Sequence, residues 1–154
     1  YMFVSKGGEL HDSKSYNYAH VGVYFGILGL LTGMFWAKYT WGTYWTNDPK
    51  LNGSAIGLLI YFGYFILRSS IEDESKKAKI SSVYNVFAFS MLIPLIFILP
   101  RLTDSLHPGN GGNPGFNVYD MNSQLRLVFY PAVTGFIFLG LWISDLRLKM
   151  LKLK

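Results

Sequence analysis

The sequence has 154 residues, with no cysteine and few charged residues. Without cysteine, the chain forms no disulfide, no thiolate metal site and no thioether link to a prosthetic group. Charged residues make up 15% of the chain, whereas about 25% is usual in a soluble domain. Hydrolytic motifs are also missing, and the glycine-rich run 109–115 lacks the Lys-Ser/Thr of a phosphate-binding loop. These absences point away from a soluble enzyme.

Long apolar runs dominate what is present, since 51% of the residues are hydrophobic and 18% are aromatic. Four runs are long enough, or nearly so, to cross a bilayer as helices that rise about 1.5 Å per residue. They cover residues 19–37, 53–67, 80–99 and 125–143. We expect Pro94 to kink the third span, and Pro131 lies inside the fourth. The sequence predicts an all-α, polytopic membrane bundle of four transmembrane helices in one domain, residues 1–154.

Polar, glycine-rich or charged segments separate the four runs and are predicted to be loops. In chain order they are an N-terminal loop (5–18), an aromatic loop (38–52), a charged loop (68–79) and a long loop (101–124). Ser69 or Ser70 could cap a short helix in the charged loop, although a solvated connection is the simpler interpretation. The tail, 145–154, is basic and amphipathic, which is typical of a segment resting on lipid headgroups. The Gly22-x-x-x-Gly26 spacing indicates either close helix packing or the general enrichment of glycine in membrane helices.

The distribution of basic residues predicts the orientation of the chain. The net charge of +5 lies in loops and the tail, and not in the basic stripe of a nucleic-acid-binding protein. With four crossings, the N-terminal segment, the charged loop and the tail share one side, which holds ten of the 14 lysines and arginines. The positive-inside rule places that side in the cytoplasm. The aromatic loop and His107 are therefore expected together at the outer surface, and His11 and His20 on the inner side in structural or incidental roles.

The aromatic loop holds Trp41, Tyr44 and Trp45, with Gly42 after the first ring and Asp48 further on. Tryptophan and tyrosine favour membrane interfaces, so an aromatic belt explains the three rings on their own. The other interpretation is a platform that stacks on a planar conjugated ligand. Gly42 would let the backbone approach such a ligand closely. Asp48 would accept backbone N–H groups as the cap of the next helix.

His107 is the only histidine expected on the outer side. A histidine in a loop is usually an ordinary polar residue, but a neutral imidazole is also a common ligand of haem iron. Arg101, Arg126 and Lys50 are expected on the same side and could meet the carboxylates of such a ligand. Surface loops often carry such charges without a special function, so both interpretations stay open on these residues alone.

The aromatic loop resembles the tryptophan-rich WGxxWxWD signature of the haem-handling proteins of cytochrome c maturation, the CcmC and CcsA type. Trp41, Gly42, Trp45 and Asp48 match this signature, whereas Asn47 stands where the family has a third tryptophan. The asparagine reduces the surface available for stacking.

A second segment, residues 105–109 (SLHPG), resembles the external loop of this family that carries an axial histidine. The order of spans and loops fits the last four spans of a six-span protein over essentially the whole chain, and its short length favours the CcmC type. We therefore expect two further spans, and a second axial histidine, before Tyr1.

The resemblance implies haem delivery or export in cytochrome c biogenesis, with non-covalent haem b presented at the outer membrane face for transfer to a haem chaperone. His107 would be the axial ligand of the haem iron. Such a protein transfers haem and is not an enzyme, and it lies in the bacterial inner membrane with both outer loops in the periplasm. The implied partners are lipid, a CcmE-type chaperone, CcmA- and CcmB-type ABC subunits and a CcmD-type small subunit. The other implied haem-binding residues are Trp41, Gly42, Tyr44, Trp45, Asp48, Arg101 and Arg126.

Two other classes of membrane protein remain to be weighed. In a structural or anchoring subunit of a respiratory or ABC transport complex, the aromatic residues would form only a belt. A membrane cytochrome b would need histidines within its spans, and none of the four predicted spans has a histidine near its middle.

Overall fold

The computed structural model describes residues 4–5, 7–107 and 121–152, and the elements within them are all helical. Three long helices come first: α1 (Glu9–Trp41), α2 (Pro49–Ser69) and α3 (Glu74–Leu92). A π-helical segment (Ile93–Ile98) and one α-helical turn, α4 (Leu99–Leu102), continue α3, and α5 (Ser123–Lys152) follows. Among the described residues, four helices are long and apolar enough to cross a membrane. The predicted all-α membrane bundle is therefore confirmed.

The helices extend beyond the apolar runs, so several predicted loops are wrong in extent. Residues 9–18 belong to α1, and the aromatic loop is reduced to residues 42–48. The charged loop shrinks to residues 70–73, because α3 is capped by Asp73, whose carboxylate accepts a hydrogen bond from the backbone N–H of Lys76 at 2.7 Å. Hydropathy marks where lipid contact ends, whereas a helix continues as long as its backbone hydrogen bonds are satisfied. Part of the long loop, 108–120, lies outside the described residues.

Glycines let α2 and α3 pack closely along their length. A Cβ atom at Gly53 would lie 2.3 Å from the backbone oxygen of Leu95, and one at Gly57 would lie 2.9 Å from Cδ2 of Leu92. The irregularity expected at Pro94 takes the form of the π-helical segment, which is a common way to accommodate a break in the hydrogen-bond ladder. The start of α2 therefore abuts the backbone of this irregular segment.

α1 packs against α2, α5 and, less extensively, α3. Within the Gly22-x-x-x-Gly26 pair, only Gly26 makes a close helix contact, since a Cβ atom there would lie 2.8 Å from Cδ2 of Leu58. No atom lies within 4 Å of the corresponding position at Gly22, which lines a groove instead. Of the two glycines, Gly26 alone allows α1 and α2 to pack closely.

Polar contacts join the helices at the end of the bundle that contains the start of α1, which we call the basic end. Arg68 of α2 pairs with Asp12 of α1, and the guanidinium carbon of Arg68 lies 4.8 Å from the centre of the Tyr16 ring. Arg147 of α5 donates a hydrogen bond from Nε to Oδ1 of Asn17, at 3.0 Å. The opposite end, which carries residues 42–48 and His107, is called the histidine end.

Candidate functional site at the histidine end

Asp48 lies at the centre of the histidine end and is the only buried charged residue within the described part of the chain, with 2% of its surface exposed. As predicted, it caps α2: Oδ1 accepts hydrogen bonds from the backbone N–H groups of Lys50 at 2.9 Å and Leu51 at 3.2 Å. Pro49 follows at the first helical position, where no backbone donor is required. The cap therefore fixes the carboxylate at the start of the helix.

The same carboxylate also holds the segment that contains His107. Oδ2 of Asp48 accepts hydrogen bonds from Oγ of Ser105 and from the backbone N–H of Leu106, both at 2.7 Å. Nδ1 of His107 lies 2.8 Å from Oδ1 of Asp48, and the backbone N–H of His107 donates to Oγ of Ser105 at 3.2 Å. One buried carboxylate thus joins the aromatic loop, the start of α2 and residues 105–107.

The surroundings of Asp48 and His107 set their charge states. Burial acts to raise the pKa of the Asp48 carboxyl, but hydrogen bonds from Ser105 and two backbone N–H groups, with the charge of His107, lower it below its usual value. Burial lowers the pKa of His107, and Lys50 adds to this effect against the opposing influence of Asp48. The lowered pKa favours the neutral form of the imidazole. With Nδ1–H directed at Asp48, Nε2 carries the lone pair that can bind a metal.

Two tryptophan rings flank the imidazole of His107, whose side chain is 22% exposed. The ring of Trp41 lies edge-on to it, at 5.0 Å between centres and 76° between planes. Trp36 lies 6.1 Å from His107 and 5.0 Å from Trp41. The sequence did not indicate Trp36, because a ring inside an apolar run resembles any lipid-facing side chain.

The other rings of the aromatic loop lie elsewhere. Tyr44 packs edge-on against Phe35, at 5.9 Å between centres, and Nζ of Lys38 lies 5.5 Å from the centre of the Tyr44 ring. Trp45 is 42% exposed. The structure therefore brings Trp41 together with His107, whereas no ring contact joins Trp41, Tyr44 and Trp45 to one another among the described residues.

Gly42 and Asn47 shape the loop itself. Gly42 ends α1 in the left-handed conformation (φ 84°), and its N–H donates to the backbone oxygen of Lys38 at 3.1 Å. No atom of the described residues lies within 4 Å of a Cβ at Gly42, and within the protein it is the left-handed turn that favours glycine at this position. Oδ1 of Asn47 accepts a hydrogen bond from Nδ2 of Asn52 at 2.8 Å, which ties the loop to the first turn of α2.

The predicted cations are distributed unevenly around the site. Arg101 is exposed in α4 and makes no hydrogen bond or ion pair with the described residues. Nε of Arg126 donates to the backbone oxygen of Met121 at 3.1 Å. Lys50 shares the lining of a groove with His107. Of the three, Lys50 is the cation that the structure places with the histidine.

That groove has a volume of about 920 Å³ and runs along α1, α2 and α3 between the two ends of the bundle. His107 and Lys50 line it at the histidine end, and His11 and Lys14 line it at the basic end. His20 packs against the rings of Tyr16 and Phe65 instead. Neither His11 nor His20 forms part of the cluster around His107.

The fold and the site together define an integral membrane protein with a histidine, aromatic rings and a buried carboxylate gathered at one end of a helical bundle. Residues 6–107 match the model of the cytochrome c assembly protein family, and the chain belongs to this family. The resemblance drawn from the WGxxWxWD signature is thereby confirmed. The matched range contains every residue of the Asp48–His107 network.

Individual relatives agree with this assignment. The chain is 27% identical to Heme exporter protein C of Haemophilus influenzae over 140 residues, which cover 88% of this chain and 54% of the relative. It is 27% identical to Heme exporter protein C of Bradyrhizobium diazoefficiens over 135 residues, 87% of this chain and 51% of the relative. A 33% identical match to Heme exporter protein C of Rhodobacter capsulatus covers 60% of this chain and 38% of the relative. The chain spans about half the length, or less, of these relatives.

Proposed function

We propose that the protein handles haem during cytochrome c maturation, holding haem b without a covalent bond at one membrane face and passing it to a haem chaperone. The Asp48–His107 pair carries this proposal. The imidazole is half-buried, and the contact between Nδ1 and Asp48 at 2.8 Å leaves Nε2 to bind iron. The relatives named as heme exporters support haem as the cargo.

Aromatic and basic residues at the histidine end would complete the haem site. Trp41 and Trp36 lie beside the imidazole and would contact the porphyrin, with the exposed rings of Tyr44 and Trp45 adding apolar surface. Gly42 and Asp48 hold the loop in shape. The propionates would be offset by Lys50 and by two residues further along the chain, Arg101 and Arg126.

The histidine end faces the periplasm of a bacterial inner membrane in this proposal, since the predicted topology assigns ten of the 14 lysines and arginines to the other side. There a CcmE-type chaperone would collect the haem. CcmA- and CcmB-type ABC subunits and a CcmD-type small subunit would be the membrane partners. The protein would act by binding and transfer and not as an enzyme.

Replacing His107 by Ala tests the assignment of the ligand. Purified His107→Ala protein, made under haem-replete conditions, is expected to lose the haem or the absorption bands of its axial imidazole. His20→Ala is the matched control, because His20 packs between α1 and α2 away from the site, and it should keep the wild-type spectrum. An unchanged axial-ligand signature in His107→Ala would remove His107 from the iron.

The structural or anchoring role predicts a different result for the unaltered protein. If the rings form only a membrane belt, the wild-type protein should be colourless after haem-replete expression. A colourless wild-type preparation would therefore overturn the proposal as a whole.

A further inference from the structure

We infer that Asp48 is a positioning residue whose buried carboxylate fixes the His107 ring through Nδ1, and so sets the direction and donor strength of Nε2 toward haem iron. This inference rests on the proposed function. It assigns to Asp48 an action through the histidine and no contact with the ligand, whereas the sequence signature alone counts Asp48 among the haem-binding residues.

Hydrogen bonds from other residues hold the Asp48 carboxylate in place independently of His107. Besides Nδ1 of His107, four donors bind its two oxygens: the backbone N–H groups of Lys50, Leu51 and Leu106, and Oγ of Ser105. The Asp48 side chain is fully buried, with 0% exposed. Because these donors come from α2 and from residues 105–106, the acceptor cannot follow the imidazole if the imidazole turns.

Rotation of the imidazole is therefore costly. Turning the ring by half a revolution would break the 2.8 Å contact between Nδ1 and Asp48 and would place the ring carbon Cδ2 against the carboxylate, so a charge-assisted hydrogen bond would be lost. Trp41 and Trp36 also flank the ring. One ring orientation is thus selected before any ligand binds, with Nε2 as the free nitrogen.

The same contact has an electronic consequence. A hydrogen bond from Nδ1–H to an anionic acceptor increases the electron density at Nε2 and makes the imidazole a more basic ligand. A more basic ligand favours ferric over ferrous iron. We therefore expect Asp48 to lower the midpoint potential of the bound haem.

The test replaces Asp48 by Asn and measures the midpoint potential of haem in the purified, full-length protein. Asn keeps the size of the side chain and an oxygen that can cap α2, but it removes the negative charge. The potential should rise, and a tenfold fall in the preference for ferric haem corresponds to about 59 mV for a one-electron couple. Asp73→Asn is the matched control, because Asp73 also caps a helix, α3, but is exposed and has no histidine partner among the described residues.

Ser105→Ala gives a second measurement, so the inference can still be tested if the Asp48→Asn protein does not fold. Removing the Ser105 hydroxyl leaves the cap of α2 intact but takes one donor away from Asp48 and the acceptor away from the backbone N–H of His107. More negative charge is then available to His107, so the potential should fall. A purely structural loosening of the site would shift the potential in the same direction in both variants.

The outcomes separate the two proposals. If wild-type protein binds no haem, or His107→Ala leaves the axial ligation unchanged, the proposed function fails. If haem binding depends on His107 while Asp48→Asn and Ser105→Ala both leave the potential at the wild-type value, only the role of Asp48 is overturned. Shifts of opposite sign, with no shift in Asp73→Asn, support it.

Discussion

At the scale of single residues, Asp48 and Asp73 show how one local motif serves two purposes. Both carboxylates accept a backbone N–H in the first turn of a helix, and a cap at Asp48 follows from the sequence because Asp is a favoured capping residue. Asp73 stays exposed, whereas Asp48 is buried under Ser105 and His107. That difference depends on a contact between positions 59 residues apart, and a contact of this kind cannot be predicted from the residues adjacent to Asp48 in sequence.

The aromatic rings give a prediction at this scale. Trp41→Ala should weaken haem retention by about tenfold or more, because a paired aromatic ring contributes about 0.5–1.5 kcal/mol beyond the area that it buries and Trp41 contacts His107. Tyr44→Ala is the comparison and should weaken haem retention less, since Tyr44 packs against Phe35 and adds only exposed apolar surface to the site. Haem titration followed by absorption measures both affinities. Equal losses in the two variants would show that the rings act as one platform.

At the scale of helices, the four spans and their order were predictable, but the helix ends were not. Apolar runs indicate only which part of a helix contacts lipid. The helix α1 begins earlier, at Glu9, and its polar first segment is held at the basic end, where Asp12 pairs with Arg68. Pro94 predicted an irregularity in the third span, and in the structure it is a π-helical segment that packs against α2. Gly53 of α2 allows this packing, because its lack of a side chain leaves room for the backbone of Leu95.

Gly53→Ala should therefore destabilise the bundle. The added Cβ would lie 2.3 Å from the Leu95 oxygen, which belongs to the backbone and cannot rotate away, and overpacking of this kind costs about 1–3 kcal/mol. Gly29→Ala in α1 is the matched control, since no atom of the other described elements lies within 4 Å of its Cβ position, and Ala there should be neutral or slightly stabilising. Thermal unfolding in detergent compares the two. A Gly53→Ala protein as stable as Gly29→Ala would contradict the close contact between α2 and the π-helical segment.

At the scale of the whole molecule, the bundle has two chemically distinct ends. Arg68 and Arg147 join helices at the basic end, and Asp48 and His107 join loops at the histidine end. The separation of the two ends follows from the alternation of crossings, which the sequence predicted. Which helices are in contact was not predictable from the sequence. The contacts of α1 with α2 and α5 depend on how side chains fit together at positions such as Gly26 and Gly140.

The orientation of these ends can be tested because the chain contains no cysteine. Thr43 is exposed in the loop at the histidine end, and Ser75 is exposed in the first turn of α3 at the basic end. If the positive-inside rule holds, a membrane-impermeant maleimide added to intact spheroplasts should label Thr43→Cys and leave Ser75→Cys unlabelled. Both variants should be labelled after permeabilisation, which controls for reactivity. Labelling of Ser75→Cys alone in intact spheroplasts would place the histidine end in the cytoplasm, where a periplasmic chaperone could not reach haem bound at His107.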